Sequence, residues 1–276
     1  MSLLRRLSRS PEGMAGFVLI GLLVLAALLA PVLFPGDPLS IAGPALVRPF
    51  ADPAFPLGTD RLGRDVLAGL FHGARASLAV GLAAAAVALV AGAIVGTLAG
   101  FAGGLTDEAL MRVVDAFQTV PSFLLALAFV SVTGASLPVV ILAIALGAWT
   151  GPARLARAEV LSIRERDYVA AARVIGMRPL EIALREVLPN ALPPVLALSA
   201  VIVANAVLIE SALSFLGLGD PNIVTWGSMI AEGRNVLRTA PFLSIVPGIG
   251  LVVTVLGVYL VAEGLSDALA RRKSRA

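Results

Sequence analysis

The chain has 276 residues, 58% of them hydrophobic and only 14% charged, with a mean hydropathy of +0.95 and a formal net charge of +3. Soluble domains carry roughly 25% charged residues, so this balance excludes an ordinary aqueous domain and leaves almost no chain for one. The absence of cysteine excludes a disulfide framework, thiol catalysis and a zinc–thiolate centre; Lys273 is the one lysine, and the positive charge sits on loop arginines, a pattern of membrane orientation rather than nucleic-acid binding.

Residues 1–13 carry Arg5, Arg6 and Arg9 and lead into an apolar run from Met14 to Phe34. That run is long enough to cross the roughly 30 Å hydrocarbon core and exceeds the roughly 7–15 apolar residues of a cleaved signal peptide. A first transmembrane helix over 14–34 is therefore predicted. Residues 35–76, rich in Pro, Gly and Asp, form the longest polar connection and read as an extracytoplasmic loop. They contain Pro56-Leu-Gly-Thr-Asp-Arg-Leu-Gly-Arg-Asp65, whose glycines and proline are turn punctuation. His72, the single histidine, has no Cys or second His beside it, so an interface position is expected rather than a metal or general-base role.

Residues 77–264 hold five further spans. The second, Ser77 to Phe101, places Gly92, Gly96 and Gly100 four apart on one face, which predicts close helix packing rather than a phosphate-binding loop. The third is expected at about Ala109 to Val132 with Pro121 inside it and Asp115 paired to Arg112 near its end. The fourth runs from about Leu137 to Ala153, the fifth from about Ala191 to Leu216 and the sixth from about Pro241 to Gly264, before a basic tail over 265–276. Ser199, Asn205, Glu210 and Ser211 are polar residues in the fifth span. They line a translocation path or hydrogen-bond between helices, and the sequence leaves both readings open.

Between spans four and five, about residues 154–190, the chain turns charged. Over Asp167–Asn190, Tyr168, Ala171, Ala172 and Ile175 mark one face of a short helix. Gly176 is suited to end that helix, and Pro179 to begin the next. Leu180, Ala183, Leu184 and Val187 repeat the helical spacing, with Glu181 and Arg185 paired four apart. An amphipathic helix pair between spans offers an apolar stripe to something other than lipid.

The run A-A-x3-G followed by Leu188-Pro189 resembles the EAA loop of ABC-type importer permeases, the coupling helix that docks on the cytoplasmic ATPase. This copy has Ala170 where that motif has Glu, and Glu186 where Ile is common. Its wording, together with the Pro56–Asp65 stretch and Glu210-Ser-Ala-Leu-Ser-Phe-Leu-Gly-Leu-Gly219, is similar to the peptide and nickel branch. The resemblance implies an all-α polytopic membrane protein with six transmembrane helices, a type I ABC importer permease fold and a cytoplasmic coupling-helix pair. It implies ATPase coupling through Tyr168, Ala171, Ala172, Gly176, Met177, Leu188 and Pro189. It also implies a second permease, two ATPase subunits that bind ATP and Mg, and an extracytoplasmic solute-binding protein.

Six spans put both termini and the coupling segment on one side, which carries fifteen of the 21 lysines and arginines. The positive-inside rule makes that side cytoplasmic, and the resemblance implies a bacterial-type inner membrane. No catalytic site, metal site or cofactor site is expected in this chain: a G-x4-G-K-[ST] phosphate loop needs a lysine after glycine, and Lys273 follows Arg272. An intramembrane enzyme would have to rest on Gly134-Ala-Ser-Leu with His72, which lack mutual support. A stand-alone channel would leave the coupling pair unexplained. Short peptides are the expected solute, with nickel or another small solute the alternative, because no His, Cys or Met cluster marks a metal path.

Overall fold

The computed structural model describes the backbone of residues 11–273 and the side chains of residues 11–264. Arg5, Arg6 and Arg9, and the side chains of Arg271, Arg272, Lys273 and Arg275, lie outside the described residues. In chain order the helices are α1 (Pro11–Leu33), α2 (Val66–Ala102), α3 (Gly104–Thr119), α4 (Ser122–Thr133), α5 (Leu137–Ala148) and α6 (Thr150–Arg164). They continue with α7 (Asp167–Val174), α8 (Pro179–Ile182), a π-helical turn (Ala183–Val187), α9 (Leu188–Ala197), α10 (Ser199–Phe215), α11 (Trp226–Gly233) and α12 (Phe242–Lys273). Among the described residues the β-structure is one isolated bridge, Thr59 to Asp65.

Three helices, α1, α2 and the Phe242–Gly264 part of α12, are each long and apolar enough to cross a membrane. Three helix pairs reach that length only together: α3 with α4, bent by 85°; α5 with α6, by 45°; and the Pro179–Ala197 run with α10, by 49°. Taking each pair as one span gives six. The bends have local causes. Pro121 has no N–H to continue α3 and starts α4 instead. Pro152 occupies the first turn of α6, where a missing N–H is tolerated, and Pro193 and Pro194 precede the break at Leu198.

Two expectations are corrected here. The third span is not one helix over 109–132 but two segments turned sharply at Val120–Pro121. The second span begins at Val66 rather than Ser77, because Asp65 caps it: its carboxylate accepts the Leu67 N–H at 2.8 Å.

The long helix α2 is the spine, packed by α1, α5, α6 and α10. Its alanines and glycines let neighbours approach closely. Around Val80 and Ala84 the core gathers Ala126 and Val130 of α4, Val140, Ala143 and Ile144 of α5, and Ala206 and Leu213 of α10. The first and last helices cross where a Cβ on Gly16 would stand 2.6 Å from the Val261 nitrogen. Without a hydrophobic drive between helices in lipid, such backbone approach is what holds them.

Candidate functional site

Helix α7 ends through its glycine. Gly176 sits at φ +82°, the Met177 N–H donates to the Ala172 carbonyl at 3.1 Å, and the Gly176 N–H donates to Arg173. These bonds satisfy terminal carbonyls in the manner of a Schellman stop. Pro179 then opens α8, and the Arg185 guanidinium pairs with Glu181 one turn away at 2.5 Å. The pair is seated on the protein by one apolar cluster: Val160 and Ile163 of α6, Val169 and Ala172 of α7, Ile182, Val187, and Ala191 of α9.

That seating corrects the face read from the sequence. Ala172 is 5% exposed and faces inward, and Met177 packs against the same cluster. The surface left open consists of Tyr168 and Ala171, with Val174 at 87%, Ile175 at 77%, Leu180 at 68% and Leu184 at 53% exposure. Leu188 is half-buried and Pro189 exposed beyond it. Val174 was missed. A short helix with apolar residues on both sides satisfies two stripe assignments about 100° apart, and only the seating distinguishes them.

The helix that carries this pair, α6, is bound tightly to α2. A Cβ on Gly92, Gly96 or Gly100 would meet α6 atoms at 2.5, 2.2 or 2.9 Å, respectively. Ion pairs tie the same helix to α3: Arg157 grips both oxygens of Asp107, one at 2.6 Å, and Arg154 pairs with Asp115. Asp115 is therefore not the partner of Arg112, which pairs instead with Glu108 at 3.6 Å. Sequence separation hid this contact, which joins residues 39 apart on α3 and α6. Arg164 closes the set by donating to the Gly100 carbonyl at 2.8 Å.

The polar residues of α10 divide. Glu210 is 2% exposed and Ser211 6%. The Glu210 carboxyl accepts from Ser214 at 2.7 Å, with Ser77 at 3.5 Å and Ser211 at 3.4 Å. Both residues are thus enclosed within this chain. Asn205 is exposed, Ser199 half-buried, and Val201 and Leu208 share the exposed surface of the helix. Trp226 closes the Glu210 cluster from α11: its N–H donates to Ser77 at 3.3 Å, and its indole N–H to the Leu70 carbonyl at 3.1 Å.

The Pro56–Asp65 stretch is a compact knot. Thr59, fully buried, donates to the Pro44 carbonyl at 2.6 Å and accepts from the Val47 N–H at 2.9 Å. Asp60 accepts from the N–H groups of Leu62 and Arg64, both at 2.8 Å. Gly63 is at φ +79°, and a Cβ there would meet the Gly43 carbonyl at 2.1 Å. Arg64 reaches across to Glu232 of α11 at 3.1 Å, beside a cavity of about 40 Å³. Partial burial raises the Glu232 carboxyl above its ordinary value, opposed by Arg64 and assisted by Asp60, with the side chain still 47% exposed. His72 bonds the Phe34 carbonyl at 3.1 Å, joining the end of α1 to α2. Among the described residues no three His, Cys, Asp or Glu side chains gather closely enough to hold a metal ion.

The sequence model of the family described as binding-protein-dependent transport system inner membrane component matches residues 88–275. This chain belongs to that family. A second model, the N-terminal TM domain of oligopeptide transport permease C, matches residues 2–49 of this inner membrane component. Over 99% of its length the chain is 42% identical to a probable peptide ABC transporter permease of Sinorhizobium fredii, covering 94% of that protein. It is 37% identical to a di/tripeptide transport system permease of Pseudomonas aeruginosa, over 93% of this chain and 86% of that one. The oligopeptide transport system permease of Bacillus subtilis is 34% identical, over 93% and 84%. The fold is that of a type I importer permease: a chain of the methionine ABC transporter MetNI, solved in inward-facing conformations, superposes with a TM-score of 0.57 at 20% identity, covering 70% of this chain and 93% of that one. The protein is a membrane transport subunit, not an enzyme.

Proposed function

We propose that this inner membrane component imports short peptides as one of two permease subunits, powered by two cytoplasmic ATPase subunits that bind ATP and Mg and fed by an extracytoplasmic solute-binding protein. The observation that carries the reading is the open apolar surface running from α7 through α8 to the π-helical turn: Tyr168, Val174, Ile175, Leu180 and Leu184 around a glycine stop. Exposed apolar surface of this kind, rimmed by Arg173, Arg178 and Arg185, fits a protein groove. The cytoplasmic assignment of that surface, and of both termini, rests on the arginine distribution. The peptide substrate is supported by the relatives' names.

In this mechanism ATP binding draws the ATPases together and moves the α7–α8 pair. Because α6 is closely packed on α2 and ion-paired to α3, these helices move with it as one body. Asn205 presents a carboxamide on the exposed surface of α10, where an unpartnered polar group facing lipid is unfavourable. That side is therefore assigned, with Ser199, to the path between the two permeases. Reconstitution into proteoliposomes with the ATPases and the binding protein tests the reading: ATP-dependent uptake of labelled di- or oligopeptide is expected. Nickel uptake without peptide uptake would overturn the substrate.

A further inference from the structure

Leu46 and Phe50 are the two non-glycine residues at positive φ among the described residues, at +59° and +63°. Strained backbone persists only where surrounding contacts over-determine it, and it concentrates at functional positions. Here the contacts come from the Pro56–Asp65 motif. The Leu46 N–H donates to the Asp60 carbonyl, Val47 and Thr59 bond reciprocally, and the Phe50 N–H donates to the Pro56 carbonyl at 3.1 Å. Residues 46–60 thus form a hydrogen-bonded finger on which Phe50 stands 86% exposed.

Its height argues against lipid as the occupant. The 23 residues of α1 span about 34 Å, the hydrocarbon core. The bond from His72 to Phe34 sets position 72 of α2 level with the end of α1. The remaining helix up to Val66 rises about 9 Å further, past a headgroup layer of about 5–8 Å. The finger is tied to that top by the Val66 N–H to Gly58 carbonyl bond. Two arginines at its surface are open to carboxylates of a partner. Asp52 and Asp60 turn their carboxylates onto backbone N–H groups of their own loop, and Asp65 onto the first turn of α2. Arg48 and Arg61 are exposed, with no carboxylate in ion-pair range among the described residues.

We propose that this finger is the docking post for the soluble solute-binding protein, Phe50 entering an apolar pocket on that protein whose rim carries carboxylates facing Arg48 and Arg61. The proposal rests on the importer reading above. A rigid aromatic anchor ringed by polar contacts is the usual form of an interface hot spot, and opposite rim charges accelerate encounter.

The test uses the reconstituted complex with the solute-binding protein that stimulates its ATP hydrolysis. Phe50→Gly relieves the positive φ, so thermal stability should hold or rise and basal hydrolysis should be unchanged. The concentration of loaded binding protein giving half-maximal stimulation should increase at least tenfold. Arg48→Glu should raise it too and flatten its salt dependence. A photo-reactive phenylalanine analogue at position 50 should cross-link the binding protein. Cross-links to lipid or to the second permease, or stimulation in Phe50→Gly equal to wild type, would overturn the post while leaving the importer reading intact. A wild-type complex that responds to no binding protein would overturn the importer reading itself.

Discussion

Gly96 of α2 and Ala153 of α6 meet backbone to backbone: a Cβ on Gly96 would lie 2.2 Å from the Ala153 carbonyl oxygen and 2.7 Å from the Ala156 Cβ. No rotamer change relieves a clash with backbone, so even Gly96→Ala must push the helices apart. The expected loss is about 1–3 kcal/mol, larger for Gly96→Leu, seen as reduced yield of assembled complex. Gly151→Ala, on α6 with open space around it, should assemble normally. Wild-type yield for Gly96→Leu would refute the close-packed joint.

The surfaces of α7 separate docking from folding. Ile175→Asp removes an exposed residue from the proposed groove contact, where burying such a side chain contributes about 1.5–3 kcal/mol. The ATPase should bind roughly 10- to 100-fold more weakly with permease stability unchanged. Ala172→Asp instead inserts an unpaired charge into the cluster beneath the pair and should destabilise the permease itself. Binding curves and melting curves for the two variants distinguish these outcomes; equal docking in Ile175→Asp removes the assignment.

The Glu210 cluster predicts a contrast between isosteres. Glu210→Gln keeps hydrogen bonds to Ser214 and Ser77, so assembly and transport should stay near wild type. Glu210→Leu strands those hydroxyls, each unsatisfied buried group costing about 1–3 kcal/mol, and complex yield should fall. Normal assembly with altered transport in both variants would restore Glu210 to the translocation path.

Much of the architecture is legible in the sequence because it follows from local chemistry. Apolar runs mark the spans, Gly176 and Pro179 punctuate the coupling pair, and three glycines four apart mark a packing face. What stayed hidden depends on tertiary seating. Ala172 and Ile175 are both apolar at helical spacing, yet only contact with Val160 and Ile163 of α6 turns one inward. Asp115 finds Arg154 rather than Arg112 through a contact between α3 and α6 that no local spacing encodes. The enclosure of Glu210 needed Ser77 and Trp226, remote in sequence. Likewise Asp65, read as the end of a turn-rich stretch, proved to be the cap that starts α2 early.

Glu232 gives a pH signature outside the spanning helices. Burial raises its pKa above the unfolded value of 4.5, so the folded protein holds this proton more tightly than the unfolded chain. Its contribution therefore favours folding below 4.5 and is progressively lost as pH rises through the folded pKa. In Glu232→Gln that dependence disappears while the contact to Arg64 persists as a neutral hydrogen bond. Apparent melting temperatures of the purified complex, taken across the acidic range, should show the wild type declining relative to the variant as pH increases through this window, with the difference constant above it. A difference that is flat throughout, or that grows in favour of the wild type with rising pH, would mean Arg64 outweighs burial at this carboxyl.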